Sequence, residues 1–336
     1  MDRKYNVIIT GAGPSGLKCA ESLGNSSLEI LVLEKKDIIG PKICAGGLTY
    51  LTNPFNLPEG EYREFKKQSI ILNNNEYEFE LKNPLRTISR LDLGKYQLSE
   101  LDKFENIQVE TEKSVKKIDG NYVTLSNGEE IGFNYLVGCD GTNSIVRKSL
   151  NLPSKFYVGY QYILPGEYDK FIWFLEPDKI KSGYGWIFPH KDFTSAGVYF
   201  NPDIINSKRA KDSLNKFLDT QGVDYSKGKF QGSPVNVKYV GNKFKNIYLA
   251  GEASGLASAN TGEGISYALI NGEDIAKNIL ENKDMKETKR ILKFKQRQEN
   301  CLKAFDIVDN PKIQSLMFEV FVKLIKNKNF QEFYGN

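Results

Sequence analysis

The stretch YNVIITGAGPSGLKCAESLG, residues 5–24, decides the fold. Its β-branched run YNVIIT predicts a buried strand, and LKCAESLG has the spacing of a helix that Gly24 can end. Between them, GAGPSG places glycines at positions 11, 13 and 16 in a GxGxxG pattern. The next apolar run, LEILVLE, predicts a second strand. The segment is therefore a βαβ unit, which indicates a parallel sheet.

The glycine-rich turn predicts a site for the pyrophosphate of a dinucleotide. Gly11 permits the tight turn, Gly13 lets the phosphates approach the backbone, and Gly16 allows the helix to pack closely on the strand. Glu34 lies 18 residues after Gly16, at the end of the second strand. A carboxylate there accepts hydrogen bonds from an adenosine ribose and repels a 2′-phosphate. We therefore expect a bound dinucleotide other than NADP.

A second motif, GEASGLASANTGEG at residues 251–264, distinguishes FAD from NAD. Gly251 and Glu252 follow the apolar run NIYLA, at the end of a predicted strand, where a carboxylate can bind ribityl hydroxyls. The segment TGEGISYAL, which contains Gly262, then begins a helix whose N-terminal dipole can stabilise the negative charge of a reduced flavin. An NAD dehydrogenase has no use for this arrangement, so the sequence predicts FAD as the cofactor.

Length, composition and cysteine usage limit the classes of protein. The 336 residues are more than one core usually serves, so two closely packed domains are expected. No apolar run reaches the ~18 residues of a membrane span, and the start MDRKYNVIIT lacks the architecture of a signal peptide. We therefore expect a cytoplasmic protein. Four cysteines without a CxxC pair and a single histidine, His190, predict neither a disulfide framework nor a metal site.

The order of the predicted elements indicates an α/β fold with two interleaved domains. The run QSIILNNNEYEFELK predicts a hairpin that turns at residues 73–75, and aromatic-rich runs from about residue 155 to 200 predict a second, mostly antiparallel sheet. The predicted parts are a Rossmann-type FAD-binding domain (residues 1–67, 84–155 and 240–280), an antiparallel β substrate-binding domain (68–83 and 156–239) and a helical C-terminal segment (281–336).

Three motifs, GAGPSGL, LVGCDGTNSIVR and GEASGLASANTGEGISYAL, together resemble the FAD-dependent oxidoreductases that include p-hydroxybenzoate hydroxylase. Within that superfamily, YGWIFP and KICAGGL are similar to the YxWxFP motif and the Lys-x-Cys-Gly-Gly segment of the geranylgeranyl reductases. The resemblance covers about residues 1–280. The chain departs from the family at Glu252, where an aspartate is usual, and by an alanine inserted between the cysteine and the glycines.

The resemblance also implies which groups contact the cofactor. At the adenylate and pyrophosphate end they are Ser15, Glu34, Arg90, Val115 (through its backbone, at the adenine) and Asp140. At the ribityl and isoalloxazine end they are Glu252, Gly264, Ile265, Cys44, Ala45 and Gly47, the last three along the flavin ring.

The activity that the resemblance implies is reduction of C=C bonds in an isoprenoid chain of geranylgeranyl type on a lipid. NAD(P)H or a ferredoxin-like protein would supply the electrons. Cys44 is the candidate proton donor, because a thiol is mostly protonated at neutral pH; the alternative role is a spacer in the turn. Tyr184 and Trp186 alternate along GYGWIFP and therefore share one face of a strand. They form either a substrate wall or part of a core.

Several alternatives stay open at this point. Phe171, Trp173, Tyr160 and Tyr162 either extend the substrate wall or pack in a core. His190 is interpreted as a surface or hydrogen-bonded residue rather than a catalyst. The same scaffold also serves flavin-dependent monooxygenases and halogenases, although YGWIFP lacks the paired tryptophans of the halogenase motif GWxWxIP. A non-catalytic flavin protein for binding or electron relay is the other alternative.

The C-terminal segment carries the whole net charge of +4, with 12 basic and 8 acidic residues between positions 281 and 336. Within it, PKIQSLMFEVFVKLIKNKNF has apolar residues at helical spacing, bordered by lysines. One interpretation is a helix docked on the domain; the other is an interfacial helix that gives peripheral membrane contact. No feature of the sequence predicts a nucleic-acid partner.

Overall fold

The computed structural model describes residues 3–166 and 168–334, the last of these by its backbone alone. Its strands in chain order are Lys4–Thr10 (β1), Ile30–Leu33 (β2), Gly47–Leu48 (β3), Tyr62–Leu72 (β4), Asn75–Ile88 (β5), Ile107–Glu110 (β6), Val115–Asp119 (β7), Tyr122–Leu125 (β8), Glu130–Gly138 (β9), Phe156–Pro165 (β10), Ile172–Leu175 (β11), Tyr184–Pro189 (β12), Phe193–Phe200 (β13), Lys229–Asn236 (β14), Lys243–Phe244 (β15) and Ile247–Leu249 (β16). Its helices are Pro14–Leu23 (α1), Arg90–Ser99 (α2), Ile145–Ser149 (α3), Pro177–Ile180 (α4), Ser207–Thr220 (α5), Ile265–Glu281 (α6), Lys286–Ile307 (α7), Pro311–Ile325 (α8) and Lys328–Tyr334 (α9).

The first sheet has the strand order β16-β9-β1-β2-β6, and every neighbouring pair in that series is parallel. Strand β15 pairs antiparallel at one edge, and the β7–β8 hairpin pairs with β9. Helices α1 and α6 cover one face, whereas the β7–β8 hairpin and α3 cover the other. Because both faces are covered, runs such as ILVL in β2 are apolar at every position. The predicted parallel sheet is confirmed.

The second sheet has the order β14-β10-β13-β12-β11-β4-β5-β3 and is antiparallel except for the β11–β4 pair. The predicted hairpin is confirmed: β4 and β5 are joined at Asn73 and Asn74, which both have positive φ. This hairpin reaches from Tyr62 to Ile88, because a bulge at residues 65–67 lets the pairing continue past the alternating run. The predicted boundaries at residues 68 and 83 therefore fall inside strands, and the division into domains stays a prediction.

The second sheet has two faces with different coverings. We call the side covered by α5 the helix face; its core side chains include Phe174, Ile187, Val198 and Phe200. We call the other side the cavity face; it carries Tyr184, Trp186, Phe188 and Tyr199. Helices α7 and α8 cover another part of this second side, with Phe305 and Phe318 stacked at 4.2 Å between ring centroids. The rest of the cavity face is turned toward the first sheet.

The C-terminal segment is helical, as predicted, and α8 is docked on the second sheet. Phe318, Val322 and Ile325 are buried against that sheet, and Gln331 of α9 donates to the Glu80 carbonyl oxygen of β5. Within residues 3–166 and 168–334, no helix is long and apolar enough to cross a membrane.

Candidate functional site

A cavity of about 520 Å³ lies between the two sheets, within the size range of sites for small molecules and cofactors. Its lining at one end is the glycine-rich turn after β1, together with residues that follow β2 and β9. At the other end it is the cavity face of the second sheet. Each end of the cavity thus has a different chemical character, polar backbone at the first and aromatic side chains at the second.

The glycine-rich turn leaves polar backbone groups facing the cavity. Gly11 has φ +95°, and a Cβ there would lie 2.4 Å from the Cys139 carbonyl oxygen. A Cβ on Gly16 would lie 2.1 Å from the Gly11 carbonyl oxygen, so both positions require glycine. A Cβ on Gly13 would meet nothing within 4 Å, and no side chain caps the N-terminus of α1. The amides of this helix start are therefore available to an anion.

Three charged side chains line the same end of the cavity. Glu34 accepts hydrogen bonds from the amides of Ala12 (2.9 Å) and Lys36 (3.0 Å), which fixes its carboxylate beside the turn. Arg90 Nε and Asp140 Oδ1 are buried without a hydrogen-bond partner. Burial raises the pKa of Asp140, although its other oxygen accepts from the α3 amides. Buried polar atoms without partners are expected where a ligand completes the site.

Glu252 also lines the cavity and is paired. It forms an ion pair with Lys42 and accepts a hydrogen bond from the Thr142 hydroxyl. Burial alone would raise the pKa of Glu252, but Lys42 and Thr142 outweigh it, so the pKa lies below its ordinary value. Glu252 is therefore a carboxylate at neutral pH.

A hydrogen bond from His190 stabilises the turn that carries Cys44. The Cys44 thiol lines the cavity and accepts from the Gly46 amide at 3.4 Å. His190 Nε2 donates to the Ala45 carbonyl oxygen at 2.9 Å, and its ring stacks on Phe193. Burial lowers the pKa of His190 to about 4, so it is neutral. Of the two predicted roles for His190, the hydrogen-bonded one is confirmed and the surface one is wrong.

At the aromatic end, Tyr184 and Trp186 have their polar atoms bonded inside the protein, whereas the Trp173 ring N–H is buried without a partner. The Tyr184 hydroxyl donates to the Thr261 carbonyl oxygen at 2.5 Å. Trp186 Nε1 donates to Ser195 Oγ at 2.9 Å, and that hydroxyl donates to Gln161 at 3.1 Å. Burial raises the pKa of Tyr184, so its phenol stays protonated. The rings consequently present mainly apolar surface to the cavity.

The structure brings together most of the residues that the sequence singled out. Those in the lining are Gly11, Gly13, Ser15, Glu34, Cys44, Ala45, Gly47, Arg90, Val115, Asp140, Tyr184, Trp186, Glu252, Gly262, Gly264 and Ile265. Gly16 and Gly251 stand behind the lining; Gly251 donates its amide to Asn271. Their contacts with a cofactor stay predictions.

The open alternatives for the other aromatic residues divide by face. Phe171 and Trp173 line the cavity. Tyr160 and Tyr162 lie on the helix face, where their hydroxyl groups bond to Ser207 and Asn215. For these two tyrosines the core interpretation is therefore right and the substrate-wall interpretation is wrong.

Lys42, Thr142 and Glu263 are among the lining residues that the sequence analysis did not single out. Lys42 and Thr142 were not singled out as the partners of Glu252, since each is far from it in sequence. Glu263 lines the cavity as well, although only its glycine neighbours were chosen. An acidic residue inside a glycine-rich turn was the signal that could have found it.

The chain is similar in sequence to several known proteins. No protein-family model matches the chain. An uncharacterized protein of Methanosarcina barkeri is 28% identical, over 80% of this chain and 73% of the relative. Digeranylgeranylglycerophospholipid reductase 3 of Methanosphaera stadtmanae is 26% identical, over 85% of this chain and 81% of the relative.

Solved structures agree on the fold. A geranylgeranyl bacteriochlorophyll reductase-like protein from Thermoplasma acidophilum has a TM-score of 0.81 at 19% identity, over 97% of this chain and 92% of that one. The p-nitrophenol 4-monooxygenase of Pseudomonas putida has a TM-score of 0.79 at 16% identity, over 99% and 97%. A variant of the halogenase PltM in complex with FAD has 0.65 at 12%, over 93% and 85%.

The solved structures are less than 20% identical to this chain, so their likeness establishes the fold and nothing closer. The likeness in sequence extends over most of the chain. The resemblance predicted from the motifs is thus confirmed. The chain is similar over most of its length to proteins named geranylgeranyl reductases, and it has the fold of the FAD-dependent oxidoreductases.

Proposed function

We propose that the chain is an FAD-dependent reductase that saturates C=C bonds of isoprenoid chains of geranylgeranyl type, carried by a lipid. The observation that carries this proposal is the cavity itself. One volume of about 520 Å³ joins a dinucleotide-type glycine turn to an aromatic compartment. Relatives named as reductases of geranylgeranyl lipids support the substrate class.

The residues present fit FAD. The open backbone at Gly13 and the uncapped start of α1 suit a pyrophosphate, and Glu34 suits an adenosine ribose. The partnerless atoms of Arg90 and Asp140 are polar groups that such a ligand can satisfy. Gly262 and Gly264, at the start of α6, would hold the ring end together with the Cys44 turn.

A bound FAD, once reduced, supplies two electrons and one hydrogen to the substrate. The protein has to supply everything else. Tyr184 and Trp186 hold the isoprenoid chain and exclude water, because their polar atoms are already bonded to Thr261 and Ser195. The second hydrogen arrives as a proton from an acidic group in the lining, for which Cys44 is the candidate that the sequence predicts.

The test is an anaerobic single turnover. The purified protein is reduced with dithionite and mixed with a geranylgeranyl lipid, while flavin absorbance and lipid mass are followed. We expect reoxidation of the flavin with a gain of two hydrogens per double bond, and no reoxidation with the fully saturated lipid. A flavin that stays reduced until air enters would refute the reductase and favour a monooxygenase or halogenase. Flavin that cycles with a protein donor alone would favour an electron relay.

A matched pair of variants tests the cofactor site. Gly13→Asp puts a carboxylate in the open space of the turn, where it repels a pyrophosphate, so we expect protein purified without flavin. Gly120→Asp makes the same change in an exposed hairpin turn with open space, at a φ of +53° that aspartate tolerates, and should remain yellow. Retention of FAD by both variants would place the cofactor elsewhere. NAD(P)H and a reduced ferredoxin are then compared as electron donors to the wild-type protein.

We further propose that α8 and its neighbours rest on an anionic lipid surface, from which the enzyme takes its substrate. Helix α8 is docked through one side, but Ile313, Leu316, Val320 and Leu324 on another side are exposed, Leu316 by 60%. Ile307 is exposed by 83%. The bordering exposed lysines are Lys312, Lys323, Lys326 and Lys328. The exposed Glu319 lies beside Lys312 and Lys323, so the border of this apolar surface keeps an excess of positive charge. Apolar side chains beside such an excess suit the interface of an anionic bilayer.

Vesicle flotation tests this surface. We expect the wild-type protein to float with vesicles that contain phosphatidylglycerol and to stay behind with pure phosphatidylcholine. The double variant Leu316→Ser with Val320→Ser should lose flotation, whereas Ile204→Ser, at an exposed apolar residue elsewhere, should keep it. Equal flotation of all three proteins would refute the surface.

A further inference from the structure

Glu263 has a half-buried carboxyl group in the cavity, and the proposed function has no use for it so far. It lies in the turn immediately before α6 and lines the same cavity as Cys44, Tyr184 and Trp186. The Thr49 hydroxyl donates to Glu263 Oε1 at 2.6 Å, and the Ser266 hydroxyl also bonds to the carboxyl. Two hydroxyls from different parts of the chain therefore fix its orientation.

Among residues 3–166 and 168–334, no cation compensates the charge of Glu263. The titratable groups that face it are the phenols of Tyr184 on β12 and Tyr50 in the 3₁₀ turn after β3. The Cys44 thiol is also close enough to Tyr184 to raise the pKa of that phenol. The group of α6 that contacts the Glu263 carboxyl is the Ser266 hydroxyl, which carries no charge. In the part of the chain that the structure describes, no lysine or arginine forms an ion pair with Glu263.

Glu252 offers the contrast within one cavity. Lys42 pairs with Glu252, so that carboxyl stays ionised. Glu263 has only hydroxyl partners, and burial raises its pKa to about 7. Two acidic groups whose surroundings push their pKa values apart are a common basis for different roles in one active site. The first is a fixed negative charge, and the second can give and regain a proton near neutral pH.

We propose that Glu263 is a catalytic residue, the acid that protonates the alkene carbon during C=C reduction; this rests on the proposed function. With reduced FAD bound, one alkene carbon would gain a hydrogen and two electrons from the cofactor, which would thereby be oxidised. As the π bond opens, the O–H bond of Glu263 breaks and its proton forms a C–H bond at the other carbon. The carboxylate left behind regains a proton from water through the cavity.

The geometry assigns Cys44 a different part. The hydrogen bond from His190 to the Ala45 carbonyl oxygen holds the turn that carries Cys44 in place. The thiol itself accepts from the Gly46 amide, which is not a group that relays protons. Glu263, in contrast, is linked to hydroxyls, and Thr49 Oγ1 lies 3.5 Å from Ser266 Oγ. Such a hydroxyl group beside a carboxyl offers a path for the returning proton.

The test compares Glu263→Gln, Cys44→Ser and the control Glu273→Gln, which makes the same change in α6 at a residue paired with Lys277. For Glu263→Gln we expect normal flavin content and normal reduction by dithionite, but reoxidation by a geranylgeranyl lipid slowed about 10²–10⁴-fold. The wild-type rate should fall as pH rises through about 7, because the acid is then lost, and this fall should be absent in Glu263→Gln. Glu273→Gln should match the wild type.

Infrared spectroscopy provides a measurement that does not need turnover. The wild-type protein should show a carboxylic acid C=O band that disappears as pH rises through about 7, and this band should be missing from the same pH difference spectrum of Glu263→Gln. Absence of the band in the wild-type protein, or loss of the alkene step in Cys44→Ser but not in Glu263→Gln, would overturn the assignment. If the wild-type protein reduces no prenyl lipid, the proposed function fails. If it does and Glu263→Gln equals it, only the role of Glu263 fails.

Discussion

The two faces of the second sheet are both rich in large apolar side chains, yet they are used differently. On the helix face, Phe174 stacks on Phe217 of α5 with ring centroids 3.8 Å apart. On the cavity face, Trp186 and Tyr184 border an open volume, and their polar atoms bond to Ser195 and Thr261. Burial alone therefore does not mark a binding wall. The difference lies in what covers the rings, a helix or an open cavity.

Small residues between the strands keep the two faces distinct. A Cβ on Gly185 would lie 1.7 Å from the Phe174 ring, and one on Gly197 would lie 2.3 Å from the Trp186 ring. Each glycine thus leaves space for an aromatic ring on its own side of the sheet. Every second residue of β12 points to the opposite covering, so neighbouring positions should respond differently to mutation.

The largest expected effect is on the helix face. Phe217→Ala should lower the free energy of unfolding by about 3–5 kcal/mol, because it removes a ring stacked inside a closed core and leaves a cavity. Urea denaturation measures the loss. The folded protein should still bind a geranylgeranyl lipid with wild-type affinity. A cost below about 1 kcal/mol would contradict a closed core on this face.

Trp186→Ala on the cavity face should cost less stability, about 2–3 kcal/mol, because one side of the ring already borders open volume. Its effect on ligand affinity should be larger, about tenfold weaker binding or 1.4 kcal/mol. Denaturation and fluorescence titration with a prenyl lipid give the two numbers. The control is Trp186→Phe, which keeps an aromatic ring. Unchanged lipid affinity in Trp186→Ala would mean that the cavity face, like the helix face, does not bind the lipid.

Glu263 makes the cavity side sensitive to pH in a way that the helix face is not. Its pKa is raised to about 7 in the folded protein, so the folded state binds the extra proton between the ordinary pKa of 4.5 and about 7. Stability therefore falls as pH rises through that window. Glu263→Gln should remove about 2 kcal/mol of this fall, seen as melting curves that differ more above pH 7 than at about pH 5. Parallel curves would mean that the carboxyl ionises normally.

The smallest expected effect comes from one hydroxyl group. Tyr184→Phe removes the bond to the Thr261 carbonyl oxygen but keeps the ring, so we expect a loss of about 1 kcal/mol. The turn at residues 261–264 should also become easier to open, which amide hydrogen exchange can detect. A loss above about 3 kcal/mol would show that the hydroxyl does more than hold this turn.

Two parts of the site could not be predicted, for identifiable reasons. The alternation of Tyr160 and Tyr162 along β10 correctly gives them one shared face, but a period of two does not say whether that face meets a helix or a cavity. The pairing of Lys42 with Glu252 joins residues 210 positions apart. The lack of a cation around Glu263 likewise depends on which segments fold against it.

The sequence by itself determined the local features: the βαβ unit with its glycine turn, the hairpin at residues 73–75, the parallel and antiparallel sheets, and the motif residues that line the cavity. These features depend on backbone freedom and side-chain periodicity, which act over a few residues. Only the tertiary structure decided which sheet face borders the cavity and which carboxyl, Glu252 or Glu263, has a cation beside it. Burial and charge pairing depend on segments that are distant in the chain, so no local pattern encodes them.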